Sequence, residues 1–78
     1  MIERMISVGS YVTLNDVRRI VDTVKQMDAH EQLVVSMNNQ DSYNAQNIFS
    51  VLEKNNFEWS TKGGHDGRDY YIIAKKKV

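Results

Sequence analysis

The segment Glu31-Gln32-Leu33-Val34-Val35-Ser36-Met37 decides the fold, because it carries the clearest strand pattern in the chain. Its residues divide by alternation into two faces. One face consists of Leu33, Val35 and Met37, and the other of Gln32, Val34 and Ser36. We expect the first face to point towards the core, which leaves the apolar Val34 on the opposite side of the sheet.

A helical pattern precedes this strand. Its apolar residues are Val17, Ile20, Val21, Val24 and Met27. Their spacing predicts a helix over roughly residues 14–28, and Thr13 with Asp16 has the spacing of a capping box at its start. Before the helix, Met5–Gly9 alternates weakly and predicts a first strand. Because the links are short, the strand-helix-strand order implies parallel pairing and a right-handed crossover.

A second helix and a hairpin follow. The helix is predicted over roughly residues 42–55 from an apolar stripe at helical spacing. This stripe is Ala45, Ile48, Phe49 and Leu52. Phe57–Lys62 alternates as a third strand, and Asp69–Ala74 forms a fourth after a Gly-rich turn. The predicted fold is one α/β (α+β) two-layer sandwich over residues 1–78. It has the order βαβαββ and both helices on one face of a four-stranded mixed sheet.

Composition excludes several kinds of function. The 78 residues include no Cys, which rules out a thiol nucleophile, a thiolate metal ligand and a disulfide. No apolar run is long enough to cross a membrane. Because the domain has no disulfide and no signal-peptide pattern, we expect it to be cytoplasmic. Ten basic residues balance ten acidic ones. A net charge of zero counts against nucleic-acid binding, because a phosphate-binding domain usually carries a positive surplus.

Several segments follow the pattern of one known family. They are Thr23–Met27, the turn to Glu31, the strand Leu33–Val35, Phe49 and the final hairpin. With this layout the chain resembles the TusA/SirA-like sulfur carriers, a family of small bacterial βαβαββ domains, over nearly its whole length. The resemblance implies a Cys-Pro pair at the start of the first helix, whose Cys carries a persulfide sulfur. This chain has Thr13-Leu14 at that place. A threonine hydroxyl cannot hold a sulfane sulfur, so we expect the fold without the sulfur chemistry.

Catalytic and metal-binding patterns are weak. His65-Asp66 lies in a Gly-rich turn that offers little to orient an imidazole, and His30 is expected at the surface. The two His residues lack the spacing of a metal motif. We therefore expect no enzyme, no metal site and no cofactor.

A ligand site could form where the first and second strands end. Thr13, Leu14 and Asn15 start the first helix, and Asn38, Asn39 and Asp41 follow the second strand. Ligands of open α/β sheets often bind at this end, beside helix N-termini. The simpler interpretation is that these residues only cap helices and make a turn.

The fourth strand is apolar on both faces, which predicts an interface. With helices on one face only, Val34, Tyr71 and Ile73 need another cover, from a protein partner or a second copy of the chain. RNA or DNA binding stays open as the alternative function. Its surface would use the basic residues Arg18, Arg19, Lys25, Lys62, Arg68 and Lys75–Lys77.

Overall fold

A computed structural model describes residues 2–9, 11–38, 45–63 and 69–77. Within these ranges the elements are β1 (Ile2–Ser7), α1 (Leu14–Gln26), β2 (Glu31–Asn38), α2 (Ala45–Lys54), β3 (Phe57–Gly63) and β4 (Asp69–Lys76). The βαβαββ order predicted from the sequence is confirmed.

The four strands form one mixed sheet in the order β1-β2-β4-β3. β1 runs parallel to β2, as the short strand-helix-strand links require. β4 runs antiparallel to both β2 and β3. The predicted parallel pair and the predicted hairpin are therefore both present. β2 and β4 occupy the centre of the sheet, and β1 and β3 are its edges.

Element boundaries differ from the predictions mainly at β1. The strand begins at Ile2 and ends at Ser7, whereas the sequence predicted Met5–Gly9. An edge strand buries few side chains, so its alternation is hard to detect. α1 ends at Gln26 because Met27 adopts an extended backbone, with φ of −84° and ψ of 146°. The predicted start of α2 at residue 42 lies outside the described residues.

Both helices pack on the same face of the sheet. Each contributes fully or almost fully buried apolar side chains, such as Ile20 of α1 and Ile48 of α2. They join Val35 at the centre of β2 in one core cluster, which confirms the packing predicted from the helical stripes. The other members of this cluster on the two central strands are Leu33, Met37, Ile72 and Ala74. The second face of the sheet is therefore not covered by either of the described helices.

Candidate interaction surface

Thr13 is the N-cap of α1, and its hydroxyl is committed to that role. The backbone N–H of Asp16 donates to Thr13 Oγ1 at 3.2 Å. In return, Asp16 Oδ2 accepts from the Thr13 backbone N–H and from Thr13 Oγ1, both at 2.9 Å. Arg19 lies 3.5 Å from the other carboxylate oxygen of Asp16. The predicted capping box is confirmed.

The structure brings part of the predicted ligand site together at the end of the sheet where β1 and β2 finish. Because β1 and β2 are parallel, both strands end at the same end of the sheet. The start of α1, which follows β1, and Asn38, the last residue of β2, therefore lie there together. Leu14 is 85% exposed and the nearby Tyr11 is 75% exposed. Asn15 is also exposed. Asn39 and Asp41 lie outside the described residues, so a ligand site here stays a prediction.

The sheet face opposite the helices is called the open face here. Its central row crosses all four strands through direct register partners. The row consists of Met5, Val34, Ile73 and Ser60. Val34 and Ile73 therefore lie side by side, and Tyr71 lies on the same face of β4, as the sequence predicted. Both described helices pack against the other face.

One expectation about this row was wrong. Val34 does not need an external cover, because it is only 8% exposed in the single chain, where Met5 and Ile73 flank it on the same face. Ile73 and Tyr71 are half-buried. The exposed apolar surface lies instead at Met5, which is 62% exposed. The sequence contained a signal for Met5, since it alternates with the inward-pointing Ile6.

Polar rows lie on both sides of the central row. The row towards the amino-terminal end of β1, called the charged row, is Glu3, Gln32, Lys75 and Glu58. The row on the other side, called the hydroxyl row, is Ser7, Ser36, Tyr71 and Lys62. The Gln32 side-chain amide donates to Glu3 at 3.3 Å. Acidic and basic groups are thus interspersed on this face.

A shallow depression lies on the open face between β3 and β4. Its volume is about 250 Å³, and Glu58, Trp59, Ser60, Ile73 and Lys75 line it. The indole of Trp59 is held by a parallel stack on Phe49 of α2, with ring centroids 5.4 Å apart. That stack lies on the helix-covered side of the sheet, because Trp59 is the register partner of the buried Ala74. The side chains that line the depression on the open face are therefore the apolar Ile73 and the polar or charged Ser60, Glu58 and Lys75.

The ion pair between Arg4 and Glu31 could not be predicted from the sequence. Arg4 Nε donates to Glu31 Oε1 at 3.0 Å, and the second carboxylate oxygen accepts the backbone N–H of Asp28 at 2.9 Å. Glu31 is only 6% exposed. Both residues belong to the parallel pair of β1 and β2, so this contact has a structural role in holding the edge strand. It is not part of the open face.

The described basic residues do not form one surface. Arg18, Arg19 and Lys25 belong to α1, in the helical layer, whereas Lys62 and Lys75 lie on the open face. Lys75 is also the direct register partner of Glu58. Arg68 lies outside the described residues, as do His65 and Asp66. His30 is exposed.

Comparison with protein-family models, with curated proteins and with solved structures finds no significant match to this chain. The resemblance to the sulfur carriers therefore stays a prediction. Neither helix in the described ranges is long and apolar enough to cross a bilayer. The same ranges contain no group of three His, Asp or Glu residues that could hold a metal ion.

Proposed function

We propose that this chain is a non-catalytic interaction domain that binds a protein through the open face of its sheet. The main support is the central row, in which an exposed Met5 continues into Val34 and the half-buried Ile73 on a face without a packed helix from the described residues. Exposed Met5 and the partly exposed Ile73, with Val34 between them, form a contiguous apolar patch, and such patches on a monomer mark contact surfaces. The rows of polar residues on both sides match the polar rim of such surfaces.

The start of α1 supports binding rather than group transfer. A sulfur carrier needs a nucleophilic thiolate there, and this chain has Thr13, whose hydroxyl both accepts from and donates to Asp16. The domain resembles a sulfur carrier in the order of its elements and lacks the residue that would carry sulfur. Its activity is therefore proposed to be recognition alone.

Nucleic-acid binding has less support. A duplex or single strand is held by a continuous basic track, and the cations of α1 lie on the other layer from Lys62 and Lys75. On the open face Lys75 is flanked by Glu58. A phosphate backbone on that face would meet carboxylates as well as ammonium groups.

Site-specific photocrosslinking in the cells that make the protein tests this proposal. A benzophenone side chain at the exposed Ser7, in the hydroxyl row, reports on the open face, and one at Lys25 reports on the outside of α1. We expect protein crosslinks from position 7 that disappear in an Ile73→Lys background, and few from position 25. Ser50→Lys adds the same charge to an exposed site on α2 and should leave the crosslinks unchanged. Equal crosslinking from both positions, or crosslinks to nucleic acid, would contradict the proposal.

A further inference from the structure

We infer that the protein bound by the open face is a second copy of this chain, packed face to face about a two-fold axis that runs along the central row. This inference rests on the proposed function and adds the identity and the geometry of the partner. It follows from the order of residues in the three rows. Symmetric pairing brings the same patch of both copies together.

The two polar rows are complementary under this symmetry. A two-fold axis along the central row turns the second copy over. Each strand then faces the same strand of the other copy, and the charged row of one copy faces the hydroxyl row of the other. On β3, Glu58 and Lys62 lie two residues on either side of Ser60. Glu58 of each copy therefore faces Lys62 of the other, which gives two opposite-charge contacts per dimer. Stacked sheets lie about 10 Å apart, a gap that these two side chains span together.

The apolar residues and the depression fit the same arrangement. Met5 and Ile73 lie on the axis, so each meets its own counterpart, with the buried Val34 between them in the row. The depression near Lys75 faces Tyr71 of the second copy, because Lys75 and Tyr71 lie on either side of Ile73 on β4. The ring of Tyr71 is small enough to enter a depression of about 250 Å³. Stacking beside an ammonium group is also favourable for a tyrosine ring.

The other simple face-to-face arrangement is unfavourable. A two-fold axis parallel to the strands would exchange β1 with β3 and β2 with β4. Glu3 would then face Glu58 of the second copy twice, and Met5 would face Ser60. Like charges across an interface disfavour association, and the exposed apolar side chain would lose its apolar partner. The charge pattern therefore selects the axis along the central row.

The available area predicts a weak dimer. Four strands spaced about 4.8 Å apart and about seven residues long give a face of about 450 Å² per copy, or about 900 Å² for both. This total is below the range of stable interfaces and within that of weak, transient ones. We therefore expect a dissociation constant in the micromolar range, with a monomer that stays folded.

Charge exchange on β3 tests the inference by sedimentation equilibrium from about 10 to about 500 µM. Glu58→Lys places two ammonium groups opposite each other across the interface, and Lys62→Glu places two carboxylates opposite each other. Each single variant should weaken the dimer about tenfold, because two contacts change from attraction to repulsion. The double variant, and an equimolar mixture of the two single variants, should both restore dimers, since opposite charges face each other again.

Matched controls separate this geometry from a general charge effect. Glu53→Lys and Lys54→Glu make the same charge changes at exposed positions of α2. Their dimers should have the same dissociation constant as that of the parent. Single variants that weaken the dimer without rescue in the mixture would overturn the two-fold axis proposed here, and a parent that stays monomeric would overturn the second copy as partner. If the parent is monomeric but position 7 still crosslinks a different protein, the proposed function stands. If those crosslinks are also absent, both fall.

Discussion

Replacing Thr13 by alanine distinguishes a helix cap from a functional residue. The change removes the oxygen that accepts the Asp16 N–H at 3.2 Å and the hydroxyl that donates to Asp16 Oδ2 at 2.9 Å. The Thr13 backbone N–H still donates to that carboxylate, and Arg19 remains 3.5 Å from it. The contact from the residue 13 backbone N–H to the Asp16 carboxylate, one half of the capping box, is therefore kept, and the contact to the hydroxyl is lost. Loss of an N-cap costs about 1 kcal/mol, within a range of about 0.5–2 kcal/mol.

Because Asp16 is largely buried, with 9% exposure, we expect a value in the upper half of that range. Thermal unfolding followed by circular dichroism should then show a melting temperature about 5–16 °C below that of the parent. Thr13→Ser keeps the hydroxyl and is the matched control, with a loss below about 0.5 kcal/mol.

The functional side of the prediction has its own readout. Thr13→Ala should leave self-association unchanged, because the residue is not on the open face. A stability-neutral Thr13→Ala variant that no longer associates would refute the cap-only role. Thr13→Cys should accept no persulfide sulfur from a cysteine desulfurase, because Leu14 still replaces the proline of the family motif. Accepted sulfur, detected as a mass increase of one sulfur atom, would show an intact carrier architecture.

Two further predictions concern stability. Val24→Asp places a charge at a site that is 3% exposed, which should cost several kcal/mol and unfold the domain at 25 °C. A variant that melts like the parent, compared with Val24→Ala as the control, would contradict the packing of α1. Arg4→Ala removes the cation beside the buried Glu31 carboxylate, which keeps its bond from the Asp28 N–H, and should cost about 1–2 kcal/mol in urea unfolding. This is less than the loss for a fully buried pair, because the Arg4 side chain is 40% exposed. Arg4→Lys should recover part of the loss, and an unchanged midpoint for Arg4→Ala would show that the ion pair adds nothing.

The order of the elements could be predicted because each signal is local. The stripe of α1, the Thr13–Asp16 pair and the alternation of β2 each occupy one short segment, and the structure contains all three. The parallel pairing of β1 with β2 followed from the short links alone. Asn56, directly after α2, has a left-handed backbone with φ of 64°, a conformation that Asn tolerates just past helix ends.

The surface properties depend on register, which the sequence does not specify. The three rows of the open face exist only because Val34 lies opposite Ile73 and Met5. A slip of one residue would have exchanged the faces. For the same reason the burial of Val34 by its neighbours and the pairing of Arg4 with Glu31 are not predictable from the sequence. Met5 was the first residue of the predicted β1, but the alternation there is too weak to show which face of the strand stays exposed.

The most direct test of the open face as the interaction surface is a dilution series followed by amide NMR from about 500 to about 10 µM. We expect concentration-dependent shifts at Met5, Val34 and Ile73 and their neighbours in the same rows, with the exposed side of α1 unaffected. Ile73→Lys should remove these shifts, whereas Ser50→Lys should preserve them. Spectra that do not change with concentration, or changes concentrated on α1 instead of the sheet, would contradict self-association through the open face.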